Sequence, residues 1–148
     1  AMAKGPKAGC PCVDFRLTLL DGSAHDVDSS EMSFRTCASI GFKSAFLKAE
    51  AQLLEPVMKL TITTPEEFAG SITGNLCGRR GRIQGMDMIA GGQVIHALAP
   101  LANLFGYTSD LRNLTQGRAG FNMAFEFCEP VPQSIAEAVI LERRKRRG

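Results

Sequence analysis

Between residues 54 and 130 the apolar residues switch back and forth between a two-residue and a 3.6-residue repeat, and the order of those switches leaves little choice of fold. Val57–Thr63 reads as a strand. Thr64-Pro65-Glu66-Glu67 then offers three concordant helix-start signals: a threonine cap, proline at the first helical position and a glutamate three residues after the cap. This helix is predicted to run to about Leu76 and to end at Gly78. Arg82–Ile89 and Gln93–Leu98 are predicted strands, joined through Gly91-Gly92 as a two-residue hairpin. A second helix is predicted from Leu101 to about Asn113, with Gly106 weakening its interior. Ala119–Cys128 alternates strictly and places Phe121, Met123, Phe125 and Phe127 on one face. The order β-α-β-β-α-β has one compact solution, an α+β split βαβ sandwich of four antiparallel strands with two helices on one face. That is the ferredoxin-like arrangement.

The flanks are less complete. Gly5–Pro11 is a glycine- and proline-rich loop, Val13–Leu20 alternates as a strand, and Asp21-Gly22 ends it with a turn. Beyond Asp28, Ser29 and Ser30, Glu31 opens a helix whose apolar groups (Phe34, Cys37, Ala38, Phe42, Ala45, Phe46 and Ala49) recur at helical spacing as far as Ala51. One strand and one helix are too little to close a core. At the other end Glu129-Pro130-Val131-Pro132 breaks the chain, and Ser134-Ile135-Ala136-Glu137 is a capping box for a last helix reaching about Lys145. Its apolar stripe needs a surface to cover, and the N-terminal strand and helix are the candidate. The expected organisation is a partial unit over 1–53, a ferredoxin-like domain over 54–130, and a C-terminal helix with a basic tail over 131–148.

Composition excludes several classes. The chain has 148 residues, 45% hydrophobic and 22% charged, a globular balance with no apolar run near the length that spans a bilayer. No apolar stretch follows Lys4 and Lys7, so a secretory signal is not expected. Net charge is +2, yet Arg143, Arg144, Lys145, Arg146 and Arg147 supply five of the 17 basic groups, leaving 12 against 15 acidic ones. Attraction to polyanions must therefore come from local patches and the tail. Cys10, Cys12, Cys37, Cys77 and Cys128 are odd in number and scattered, which argues against a disulfide framework and for a reducing compartment. His25 and His96 lack neighbours at metal-ligand spacing, so no metal is expected. Gly74–Gly81 is glycine-rich but lacks the lysine and hydroxyl of a phosphate loop. Asp26 and Asp28 flank a turn, where capping accounts for them. No catalytic constellation emerges, and the chain is expected to bind rather than catalyse.

What remains is Gly78-Arg79-Arg80-Gly81-Arg82. Three guanidiniums among glycines form an exposed fork suited to phosphate, although a solvated turn explains the same composition. Arg112 and Arg118 either extend this patch or pair with nearby carboxylates. The phenylalanine stripe of the last strand invites comparison with base-stacking sheets. Core packing is the preferred reading, because Asn122, Ala124 and Glu126 lie opposite, as on a helix-covered sheet. The basic tail complements a helix dipole without any partner, and a nucleic-acid contact is a supplementary reading.

Leu54-Glu55-Pro56-Val57-Met58-Lys59, Thr64-Pro65-Glu66-Glu67-Phe68, Arg79-Arg80-Gly81-Arg82-Ile83-Gln84-Gly85-Met86 and Leu104–Arg118 resemble, in order and spacing, the C-terminal domain of translation elongation factor G. The run Leu111-Arg112-Asn113-Leu114-Thr115-Gln116-Gly117-Arg118 is the most specific part. Gly5–Pro11 and Asp21–Met32 likewise resemble the second half of the preceding domain. The resemblance departs at Cys77 and Gly78, at His96 and Leu98, and at Cys128 and Pro130.

The resemblance implies a C-terminal fragment of the ribosomal translocase, a GTP-dependent factor that moves tRNA and mRNA through the ribosome. It would carry the end of domain IV, all of domain V and a terminal helix folded back on domain IV. The fragment is then no enzyme: GTP and magnesium belong to the parent's G domain, and this part needs no cofactor. Implied partners are the ribosome, large-subunit rRNA, and tRNA–mRNA at the decoding site through domain IV, with no membrane. Arg79, Arg80, Arg82, Arg112 and Arg118 would be the rRNA contacts. A cytoplasmic location is implied, with a mitochondrion or plastid as the alternative. The truncated domain IV edge would expose Phe15, Phe34 and Phe42 and favour self-association. A free-standing ferredoxin-like RNA-binding module is the competing reading, and a small-ligand or enzyme domain on the same fold a third.

Overall fold

The structure is a computed structural model that describes residues 1–146, apart from the side chain of Arg144; the end of the basic tail, Arg147 and Gly148, lies outside the described residues. The chain divides into two compact units, one of Ala1–Leu53 with Val131–Gly148 and one of Leu54–Pro130.

In the second unit the strands are β1 (Leu54–Thr64), β2 (Arg82–Ile89), β3 (Gly92–Pro100) and β4 (Gly120–Pro130), and the helices are α2 (Ala69–Gly78) and α3 (Tyr107–Leu114). The sheet is antiparallel with order β2-β3-β1-β4. The βαββαβ order read from the sequence is therefore the observed one. The hairpin turns one residue earlier than expected, on Ala90-Gly91, because Ile89 already pairs with Gly92. Leu60 and Ile62 of β1 and Ile95 and Ala97 of β3 are fully buried against Ile72 and Leu76 of α2 and Tyr107 and Leu111 of α3. These central strands and one face of each helix make the core.

Both helices of this unit begin differently from the sequence pattern. Thr64 does not cap α2: it is still paired in the sheet with Gln93, and its hydroxyl donates to the Pro65 carbonyl at 3.3 Å. A 3₁₀ turn, Glu66–Phe68, makes the entry instead. The expected helix from Leu101 is likewise split, into a 3₁₀ turn over Leu101–Asn103 and α3, because Gly106 sits at the helix start with φ of 77°. Left-handed backbone there is open to glycine and ends any continuous helix.

The phenylalanine stripe is only partly core. Phe121 packs edge-on against Tyr107 at 5.4 Å, but Phe125 remains 60% exposed and Phe127 37%. Two causes act together. β4 is an edge strand, and a register shift sets Phe127 opposite Val57 and Phe125 opposite Met58. Successive residues of β1 point to opposite faces, so the shift splits the stripe between them.

The first unit holds α1 (Glu31–Lys48) and α4 (Gln133–Lys145). Ser30 caps α1 through a bond from the Ser33 amide, 3.1 Å long. The predicted strand Val13–Leu20 does not form; the segment is irregular, and Leu19 and Leu20 stand almost fully exposed. An alternating sequence becomes a strand only beside another strand that satisfies its backbone groups, and the sheet belongs wholly to the other unit. Phe42, expected at an exposed edge, is buried, with the tilted rings of Phe15 and Phe46 each centred 5.6 Å from its own, whereas Phe15 and Phe34 are exposed. The Ser134 capping box is absent too: Pro132 accepts the first α4 amides, and Glu137 accepts from the Gln133 side chain at 3.1 Å. No described helix is long and apolar enough to cross a membrane.

Candidate functional site

The arginine loop is shaped by how α2 ends. The Gly81 amide donates to Leu76 O at 2.7 Å and the Arg80 amide to Cys77 O at 3.1 Å, with Arg80 left-handed at φ of 61°. This is a Schellman closure in which a non-glycine occupies the position that usually takes glycine. A Cβ on Gly81 would lie 2.7 Å from the Leu76 carbonyl oxygen, so glycine is required one residue later for space. The tight turn sends successive guanidiniums in different directions.

Arg79 turns inward. Its Nε donates to Asn75 Oδ1 at 3.2 Å, its Nη1 to the Asn103 carbonyl at 2.6 Å and less closely to that of Phe105, and its Nη2 to the Asp110 carboxylate. The guanidinium also lies over the Tyr107 ring, 5.5 Å from its centre. One side chain thus ties the end of α2 to the start of α3. Arg80 makes a two-pronged pair with Glu55 at the buried start of β1, at 3.1 and 2.5 Å. Arg82 reaches Glu129 on β4 at 2.8 Å, and Arg118 reaches Glu67 at 2.7 Å while covering the Phe68 ring at 4.6 Å.

The loop is therefore neither a free fork nor a solvated turn. Its three arginines part toward three carboxylates, and the pairing alternative left open for Arg118 is the one observed. Arg82 and Arg118 keep about half of their side-chain surface in water. Arg112 is exposed and borders a cavity of about 270 Å³ with Thr108, Leu111, Gly117, Ala119 and Phe121. On β2 and β3, His96 Nε2 meets Asp87 Oδ2 at 3.1 Å. Sequence reasoning found the arginines and missed Glu55, Asp110, Glu67 and Glu129, which lie 25 or more residues from their partners. No local spacing could have found them.

Tyr107 is 1% exposed, and its hydroxyl has no hydrogen-bond partner among the described residues. Burial pushes the phenol up to about 12, against a smaller opposing pull from Arg79. The folded state thus holds this proton more tightly than the unfolded chain. Its contribution is complete below pH 10 and is lost as pH rises toward 12. Tyr107→Phe removes an unpaired buried hydroxyl, and we expect it to be neutral or stabilising by up to about 1 kcal/mol near pH 7. In urea titrations it should also flatten the loss of stability above pH 10 relative to the parent chain; an unchanged alkaline slope would contradict the assignment.

These features define an α+β domain of ferredoxin-like architecture whose cations brace the sheet and helices while three of them stay accessible. Comparison with known proteins narrows this. The family model "Elongation factor G, domain IV" matches residues 1–50, and "Elongation factor G C-terminus" matches residues 52–139. A crystal structure from Thermus thermophilus superposes with a TM-score of 0.87 at 36% identity, covering 97% of this chain and 22% of that one. The chain belongs to the elongation factor G family, and it spans about a fifth of the length of that relative.

Proposed function

We propose that this chain acts in translation as the ribosome-facing part of an elongation factor G, contributing contacts to large-subunit rRNA and, through its domain IV portion, to tRNA–mRNA at the decoding site. The observation that carries the reading is the tiling of the chain by two family models in order, domain IV followed by the C-terminus. The chain binds, on this reading, while GTP and magnesium act in a G domain of the parent factor, and the work is done in the cytoplasm.

The five arginines divide the task. Arg82, Arg112 and Arg118 are exposed and serve as phosphate contacts; Arg79 and Arg80, held by Asp110 and Glu55, keep the surface in shape. Pairing does not disqualify Arg82 or Arg118, because a half-exposed ion pair is worth little and can be exchanged for phosphate. Replacing Arg82, Arg112 and Arg118 together by alanine should weaken sedimentation with ribosomes. It should also lower the slope of log affinity against log salt by about 2 to 3, near one unit per phosphate lost. An unchanged slope would remove these residues from the interface.

A further inference from the structure

The N-terminal loop holds a pair of thiols that the translation reading does not use. Cys10 and Cys12 are separated only by Pro11, both are half-buried, and both line one small cavity with Lys7, Phe46 and Leu53. The loop is closed on itself: the Gly5 amide donates to Cys10 O at 2.9 Å, the Gly9 amide to Gly5 O at 2.9 Å, and the Cys12 amide to Met2 O at 3.0 Å. Lys7 Nζ pins it to the Ala51 carbonyl at 2.5 Å. Gly5 has no Cβ where the Cys12 sulfur packs; one built there would be 2.7 Å from Sγ. From α4, Arg143 Nη1 donates to Cys10 Sγ at 3.1 Å. The other three cysteines are exposed, and no described side chain donates to their sulfurs.

We propose that Cys10 and Cys12 form a redox-responsive dithiol that a hydroperoxide converts into an internal disulfide, with Cys10 as the attacking sulfur and Arg143 as the cation beside it. The thiolate is the nucleophile in such a step, and the Arg143 guanidinium lies against the Cys10 sulfur, at 3.1 Å. The Cys10 thiolate attacks one peroxide oxygen and the O–O bond breaks. Cys10 becomes a sulfenic acid, and the departing alkoxide or hydroxide takes up the proton that Cys10 released. The Cys12 thiol then attacks the sulfenic sulfur. The S–S bond forms, the S–O bond breaks, and hydroxide leaves as water with the Cys12 proton. The two sulfurs together lose two electrons and the peroxide gains two. In a reducing compartment the bond is transient, which is how such pairs report oxidant. Oxidation also leaves Arg143 facing a neutral disulfide sulfur, a weaker acceptor than a thiolate, loosening one tie between α4 and the loop.

The test is titration of the folded chain with hydrogen peroxide, followed by alkylation and peptide mass analysis. Trypsin cuts after Lys7 and Arg16, so a single peptide, Ala8–Arg16, carries both sulfurs and loses two hydrogens when they join. This peptide should oxidise about tenfold faster than those bearing Cys37, Cys77 or Cys128, and a dithiol reductant should restore it. In urea the advantage should vanish, and Arg143→Gln in the folded chain should remove most of it. Equal rates for all cysteines, an advantage that survives urea or Arg143→Gln, or sulfinic acid without the internal disulfide would each overturn the proposal.

Discussion

Leu60→Ala should destabilise the sheet unit by about 3 kcal/mol, because truncating a fully buried leucine removes its transfer energy and leaves a cavity that the surroundings fill only in part. Leu60 is 0% exposed and sits in β1, which has a paired strand on each side. Its neighbours across the sheet are Ala97 and Met123, and neither can move far without breaking register. Urea denaturation followed by sheet circular dichroism should show the midpoint falling with the slope unchanged, as for a change in stability alone. A loss under about 1 kcal/mol would mean that the core is centred elsewhere.

Arg79→Ala should cost about 2 kcal/mol, by a different mechanism. The side chain is 21% exposed, and its removal strands the carbonyls of Asn103 and Phe105 and the Asp110 carboxylate. Breaking a fully buried pair costs about 3 to 5 kcal/mol, and the 47% exposure of Asp110 reduces that figure here. For a domain of this size the effect corresponds to a fall in Tm of about 10 °C. Arg79→Lys should recover little, since an ammonium cannot serve two carbonyls, a carboxylate and an amide oxygen from one planar fork. Arg118→Ala, at a pair half exposed on both sides, should cost no more than about 1 kcal/mol. Calorimetry of the three variants checks the ranking, and equal effects at Arg79 and Arg118 would refute the brace.

Much of the fold is written locally. Alternation marks β4 to within two residues, because a period of two is hard to imitate over eight or more residues, and the predicted strand Arg82–Ile89 matches β2 to the residue. Three of the failures share a cause, a partner distant in sequence. Val13–Leu20 alternates but finds no strand beside it in its unit, and Thr64 looks like a cap but is retained by Gln93 across the sheet. Phe125 and Phe127 read as core until the bulge opposite Val57 and Met58 divides them. At the site, residue type singled out the arginines. Arg79, Arg80, Arg82 and Arg118 each meet a carboxylate from another element, and what separates the braces from the outward-reaching pair is how much of each side chain those elements cover.

The second unit's first and last residues pair with each other: Leu54 is opposite Pro130, and just outside them the Val131 amide donates to the Leu53 carbonyl at 2.8 Å. A pull applied through the two connecting segments would therefore act across the β1–β4 ladder at its open end. Hydrogen bonds loaded in that direction yield singly, like the teeth of a zipper, so the unit should give way at far lower force than strands drawn lengthwise past each other. A molecule tethered in this manner can yield at its root well before its interior feels the load.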